Sequence, residues 1–435
     1  MGALKCLTIN LLWICIILIA ITFLPGLPPN IEFTSYAFKL PNYPHSSSIR
    51  NLSKAEKVFK GKIVGPESFD AYDGILYISM YGGTVSRLVD NNLEQLVKFG
   101  KGCDHSWEED ICGRPLGLKF DENGNLYVVD TYYGIFKVNI TTKSYEKIVE
   151  ITIPIDEKVP MIPNSIDVAK NGDLYWTDSS SDYKLYDGIF SMLSNPSGRL
   201  IHFSAKTKKN TVLLENLGFA NGIKLSDDES FIFVAETLTS RIIKYHLKGL
   251  KAGKSEIIIE GLPGFPDNIH SDNHGNFFVS LIVIADEENP QLLQSLSPHP
   301  YIRKLFVRLL TLLELPFKFF YKIYSDDCFK KIYLWIGHFR SFSFLMPRSA
   351  IILRINEHGK ILDILESRSG DISDISSAFI LNDYLWLGSP FNDYLGRISM
   401  NQILPTLEKQ NIKFDEKKLL DNNTKKNKSI NDQTT

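Results

Sequence analysis

Apolar and polar positions follow one arrangement that returns along the chain: a turn of Asp, Asn and Gly, then a short strand of aliphatic and aromatic residues. The copies read AYDGILYIS, DENGNLYVVD, AKNGDLYWTD, SDDESFIFVAE, SDNHGNFFVS and ILNDYLWLGS, anchored on Tyr77, Tyr127, Tyr175, Phe233, Phe278 and Trp386. Successive anchors lie 50, 48, 58, 45 and 108 residues apart, so the last interval holds an extra segment of about one repeat's length. Runs between the copies, such as GIFKVN, RIIKYHL and SEIIIEGL, have strand chemistry and no helical period. Short strands in a repeat of about 40 to 50 residues predict an all-β fold, a six-bladed β-propeller over residues 61–400 with four strands to a blade. A β-sandwich is the alternative, and it leaves six evenly phased copies unexplained.

Three segments break the pattern. The N-terminus is apolar from Cys6 to Leu24, with Lys5 before it and a proline-rich exit after it. Nineteen residues are enough to cross a bilayer, and no A-x-A site follows, so residues 1–27 are read as a transmembrane signal-anchor; a cleaved signal peptide is the alternative. Positive charge only on the N-terminal side predicts a single-pass type II protein with its body lumenal or extracellular, in the endoplasmic reticulum or at the cell surface. Residues 28–60 are read as a stalk leading into the propeller. The extra segment, about 289–347, interleaves apolar residues with Arg303, Lys304, Arg308, Lys318, Lys322, Lys330 and Lys331. It is expected to form an amphipathic helical hairpin broken at Pro316, which either touches membrane headgroups or caps the propeller. The polar tail, 401–435, is expected to be disordered.

Composition narrows the classes. The 435 residues are 44% hydrophobic, enough for a large core, and the formal net charge of −2 with no basic block in the body excludes a nucleic-acid surface. Cys6 and Cys15 fall in the apolar segment. Cys103 and Cys112 are close enough in sequence to close a short loop in an oxidising lumen, leaving Cys328 odd; zinc finds only His105 nearby and no finger spacing. Sequons occur at Asn51, Asn139, Asn422 and Asn427.

Counting back from the anchors exposes a chemical pattern. Glu67 lies 10 before Tyr77, Asn164 11 before Tyr175, Asn221 12 before Phe233 and Asp267 11 before Phe278, with Asn268 next to it. Equivalent positions of different blades are related by rotation, so these side chains are expected to converge on the propeller axis. Any one of them is ordinary turn chemistry; four blades in phase point to a metal. Two carboxylates and up to three amide oxygens, without His or Cys, suit Ca2+, which accepts six to eight oxygens in a flexible shell.

The stretches GPES, CGRPLGLKF, GDLYWTDSS, FANGIKLS, VAET, RIIKYHLKG, KAG and LPGFPDNI resemble the strictosidine synthase-like family, in its membrane-associated branch. That family is related to paraoxonases and other calcium-dependent phosphotriesterases, and the likeness runs over nearly the whole chain. It implies that Glu67, Asn164, Asn221, Asp267 and Asn268 hold a catalytic calcium, that the protein is a type II membrane protein, and that Cys103 pairs with Cys112. Departures accompany it. Leu116 and Thr131 stand where paraoxonases place histidines, and Ser165 stands where relatives carry Asp beside the first amide, which removes support for a second calcium. No glutamate is found in GDISDISSAFILNDYLWLGS to serve the alkaloid-forming condensation. The expected activity is therefore weak, broad hydrolysis of small esters or lactones, arylesterase-type, with Asp267 as base or nucleophile. The alternative is a degenerate calcium propeller that binds or matures a glycoprotein partner. Asp130, Asp178 and Glu236, each three after an anchor, are read as structural, with Arg241 as mate for Glu236. Of the histidines weighed, His105, His202, His246, His270 and His274, only His270 is expected near the cavity.

Overall fold

A computed structural model describes residues 2–40, 49–103, 108–405 and 407. Among these residues the strands form six sheets, five of four strands and one of five. Numbered in chain order, their innermost strands are Phe69–Tyr72, Pro115–Phe120, Pro163–Val168, Ala220–Leu225, Gly264–Ser271 and Ser377–Leu381. From each the chain runs outward by antiparallel neighbours, and every anchor aromatic sits on the second strand. Each innermost strand packs against the next and the sixth packs against the first, so the fold is a closed, propeller-like ring.

Alternation within a strand explains why both faces are apolar. In the second sheet Leu126 and Val128 pack with Tyr77, Val85 and Phe99 of the first, while Tyr127 and Val129 pack with Trp176 and Ile201 of the third. Successive residues thus serve opposite neighbours. Paired charges repeat this at the inner edge: Asp70 of the first sheet takes Lys119 of the second at 2.9 Å, and Asp167 of the third takes Lys224 of the fourth at 2.7 Å.

The segment expected as a stalk also supplies strands. β1 (Ile49–Asn51) runs parallel to Ile361–Ser367 at the rim of the fifth sheet, and β2 (Glu56–Val58) is the antiparallel outer strand of the sixth, beside Leu395–Ser399. The sixth sheet is therefore built from both ends of the ring. At the start of the expected tail, Ile403, Leu404 and Leu407 are buried in the core; residues from 408 onward, with Asn422 and Asn427, lie outside the described ones.

The helices are α1 (Gly2–Phe23), α2 (Glu109–Cys112), α3 (Gly188–Leu193), α4 (Leu292–Leu296), α5 (Pro300–Tyr324), α6 (Asp327–Gly337) and α7 (Met400–Ile403), with 3-10 turns at Leu185–Asp187 and, after α6, at Phe339–Leu345. α1 is long and apolar enough to cross a membrane and fits an anchor. The insertion, α4 to the 3-10 turn, leaves between the second and third strands of the fifth sheet. Its expected break at Pro316 is corrected: α5 runs through Pro316 and ends at Ser325, which is left-handed with φ 51°, and the Asp326 side chain then accepts the Cys328 N–H to start α6. A proline inside a helix loses a single backbone bond, whereas a left-handed residue followed by an N-cap stops one helix and starts another. Cys103 and Cys112 form a disulfide with Cα atoms 5.5 Å apart, which removes both from the zinc alternative; His105 lies outside the described residues. Cys6, Cys15 and Cys328 are free.

Candidate metal centre

The ring brings the five phased residues together. Glu67 precedes the first innermost strand, Asn164 and Asn221 are the second residues of the third and fourth, and Asp267 and Asn268 are central in the fifth. All five are buried. Glu67, Asn164, Asn221 and Asp267 line one cavity on the axis, and Asn268 faces the channel on its other side.

Hydroxyls orient the amides. Asn164 Nδ2 donates to Ser179 Oγ at 3.0 Å, and Ser179 Oγ donates to Ala220 O of the next sheet. One sheet on, Asn221 Nδ2 donates to Thr237 Oγ1 at 3.3 Å, and Thr237 Oγ1 donates to Pro266 O. Each NH2 is thereby held and the amide oxygen is left to the axis. The hydroxyls lie four residues past anchors Tyr175 and Phe233, a phase that the sequence contains and that counting only backward misses. Tyr81, Thr237, Ile282 and Pro390, each four past its anchor, line the same cavity.

The electrostatics suit a hard cation. Burial raises Glu67 to about 7, with Arg114 opposing, and burial raises Asp267 well above the carboxylate range, the nearby Glu67 charge adding to it. Glu67 Oε2, Asn221 Oδ1 and Asp267 Oδ1 are buried without a hydrogen-bond partner. Unpaired oxygens of buried acids and amides are costly, and these share one cavity. Calcium fits the donor set. Among the described residues no group of three or more His, Cys, Asp and Glu side chains is placed to hold a metal ion.

The cavity has about 1100 Å³, taken out to open solvent, and its walls are largely apolar, including Leu116, Met192, Phe219, Phe265 and Phe339. Leu116, the residue in a paraoxonase histidine's place, is wall; Thr131 is buried. Two polar groups escaped the sequence reading. Arg114 Nη2 stands 3.6 Å from Glu67 Oε2 with its Nε 3.8 Å from Glu109 Oε1, which sets a buried cation beside the centre. His338 lines the cavity from the insertion, and its Nδ1 accepts the Arg340 N–H, so the neutral ring carries its proton on Nε2. Burial lowers its pKa. No repeat phase flags either residue, because Arg114 lies 13 before Tyr127, outside the oxygen-bearing phase, and His338 lies in the insertion.

The remaining candidates are structural. His270 lies in the channel beyond Asn268, where its Nε2 meets Ser377 Oγ at 2.7 Å; it does not line the cavity that holds the carboxylates. Asp178 binds Arg199 and accepts the Met161 and Ile162 N–H groups. Asp130 accepts those of Tyr132 and Tyr133, and Glu236 pairs with Arg241 as expected. Ser165 Oγ accepts the Ile223 N–H. Asn51 and Asn139 are exposed.

The strictosidine synthase family matches residues 164–250, the stretch that carries Asn164 and Asn221. The fold resembles a gluconolactonase from Xanthomonas campestris with a TM-score of 0.50 at 12% identity, covering 86% of this chain and 99% of that one. Hemomucin, an adipocyte plasma membrane-associated protein of Drosophila melanogaster, is 36% identical over 95% of this chain and 73% of its own length. The adipocyte plasma membrane-associated protein of Rattus norvegicus is 30% identical over 86% of this chain and 94% of its own, and the human protein is 30% identical over 81% and 79%. With identity at this level over most of both chains, the chain belongs to the adipocyte plasma membrane-associated protein family.

Proposed function

We propose that the six sheets are the blades of a six-bladed propeller, anchored type II by α1, that holds Ca2+ on Glu67, Asn164, Asn221, Asp267 and Asn268 and hydrolyses small esters or lactones. One observation carries this reading: oxygen side chains from four sheets converge on one cavity with unpaired buried atoms. When bound, calcium polarises a carbonyl and steadies the oxyanion formed from it. The apolar walls around Leu116, Phe219 and Phe265 hold the acyl or aryl group and limit water. The Asp267 carboxylate, with one oxygen given to the ion, takes the proton of the attacking water on its other oxygen and returns it to the leaving alcohol. His338, with its proton on Nε2, is a hydrogen-bond donor in the wall.

Leu116 favours a second reading, in which the propeller keeps its ion for rigidity and binds a glycoprotein partner. The test is hydrolysis of phenyl acetate by the full chain in detergent, with calcium and with chelator. Chelator-sensitive turnover is expected; its absence, with only a chelator-induced fall in thermal stability, would sink the hydrolase reading and fit the binding module.

A further inference from the structure

The insertion has its polarity reversed. On α5 the charged residues Arg303, Arg308 and Glu314 are buried, while Tyr301, Ile302, Leu313, Phe319 and Ile323 are exposed. The outward face continues through Trp335 of α6 to Phe344, 79% exposed in the 3-10 turn. A helix on a protein in water turns its charges out and its apolar stripe in. This one presents to its surroundings what a core element presents to a core.

The buried arginines show where that face lies. Arg308 Nη1 donates to the carbonyl oxygens of Ile21, Thr22 and Leu24, at the outgoing end of α1, and the Phe23 and Tyr301 rings are 5.4 Å apart. Arg303 Nη1 donates to Leu193 O and Ser194 O, just behind the cavity wall. One helix is thus tied to the end of the anchor and to the roof of the site. Its apolar face is continuous with the surface of α1, which is itself exposed and apolar. Lys304 and Lys322 on the same helix suit lipid phosphates.

We propose that the outward face of α5 and α6 lies in the headgroup–acyl boundary of the leaflet from which α1 emerges. The hairpin is a second, in-plane membrane contact beside the anchor. Residues 338–346 lead from α6 into the cavity wall, so this contact also holds the cavity mouth at the bilayer surface. The proposal rests on α1 being the anchor and is independent of whether the site hydrolyses esters.

The test uses the full chain in phosphatidylcholine–phosphatidylserine vesicles, with one fluorophore on a single thiol. Leu313→Cys is labelled in a background of Cys6→Ser, Cys15→Ser and Cys328→Ser; native Cys15 kept alone reports the anchor, and Leu250→Cys, on the far rim, reports water. Nitroxide-bearing acyl chains are expected to quench the label at 313 at least about threefold more than at 250, and iodide less by a similar factor. A label at 313 that behaves as the one at 250 overturns the proposal. So does one shielded from both quenchers while crosslinking shows a dimer, because a second copy then covers the face. If Cys15 is not quenched by lipid, the anchor reading fails and the proposal falls with it.

Discussion

At the scale of single residues, position in the repeat decides chemistry. Ten to twelve residues before the anchor, four of the six repeats supply an axial oxygen; three after, the second, third and fourth carry a buried acid that takes backbone N–H groups; four after, the first, fourth, fifth and sixth put a group on the cavity wall. Asp267→Ala removes one of two carboxylates at the centre. We expect calcium at a hundred times its Kd to stabilise the native chain by about 2.7 kcal/mol and the variant by almost nothing, read as thermal shifts with and without calcium. Arg199 is a different case. It pairs with Asp178 at 2.7 Å and donates to Ile155 O, all of it buried. Arg199→Ala leaves the Asp178 carboxyl without its partner and is expected to cost about 3–5 kcal/mol in chemical denaturation, with calcium affinity unchanged. The acids three after the anchors were readable as structural from phase alone. Arg114 and His338 were not, since their neighbours at the site are distant in sequence.

At the scale of elements, the insertion carries an unusual proton inventory. Burial raises Glu314 from the ordinary 4.5 to about 7 and Asp187, across the interface in the turn before α3, from 3.8 to about 6, while Lys318 opposes both. The folded state therefore keeps protons that the undocked state releases, so docking weakens as pH rises from about 4 to 7. Hydrogen exchange at the amides of α5, corrected for intrinsic rate, should show more opening at pH 8 than at pH 5, and Glu314→Gln should flatten the difference. Equal protection at both values would mean that these acids do not couple to docking. The alternation of basic and apolar residues made the helical hairpin predictable. Its turn at Ser325 was misjudged because proline is a strong signal in sequence, whereas a left-handed serine is known only from its backbone.

At the scale of the molecule, stability depends on closing the ring. β2 lies beside the last strand of the sixth sheet, Lys57 opposite Gly396, so the first residues of the ring hold its final sheet. Lys57→Pro puts a residue with no N–H and a fixed φ into the middle of this three-residue strand; a loss of about 2–3 kcal/mol is expected, with new protease cleavage in the sixth sheet ahead of the others. Cleavage spread evenly over all six would show that the seam is no weaker than the other interfaces.

The sequence by itself determined the repeat, its strand chemistry, the apolar N-terminal helix and the phase of five oxygen-bearing residues, because periodicity and side-chain type are local properties. It carried the family motifs as well. Tertiary structure alone decided which end strands complete the fifth and sixth sheets, which hydroxyls turn the amides of Asn164 and Asn221, and that the insertion roofs the cavity with Arg303, Arg308 and Glu314 inward. Those features depend on contacts between residues tens to hundreds of positions apart, and such contacts exist only once the ring has closed.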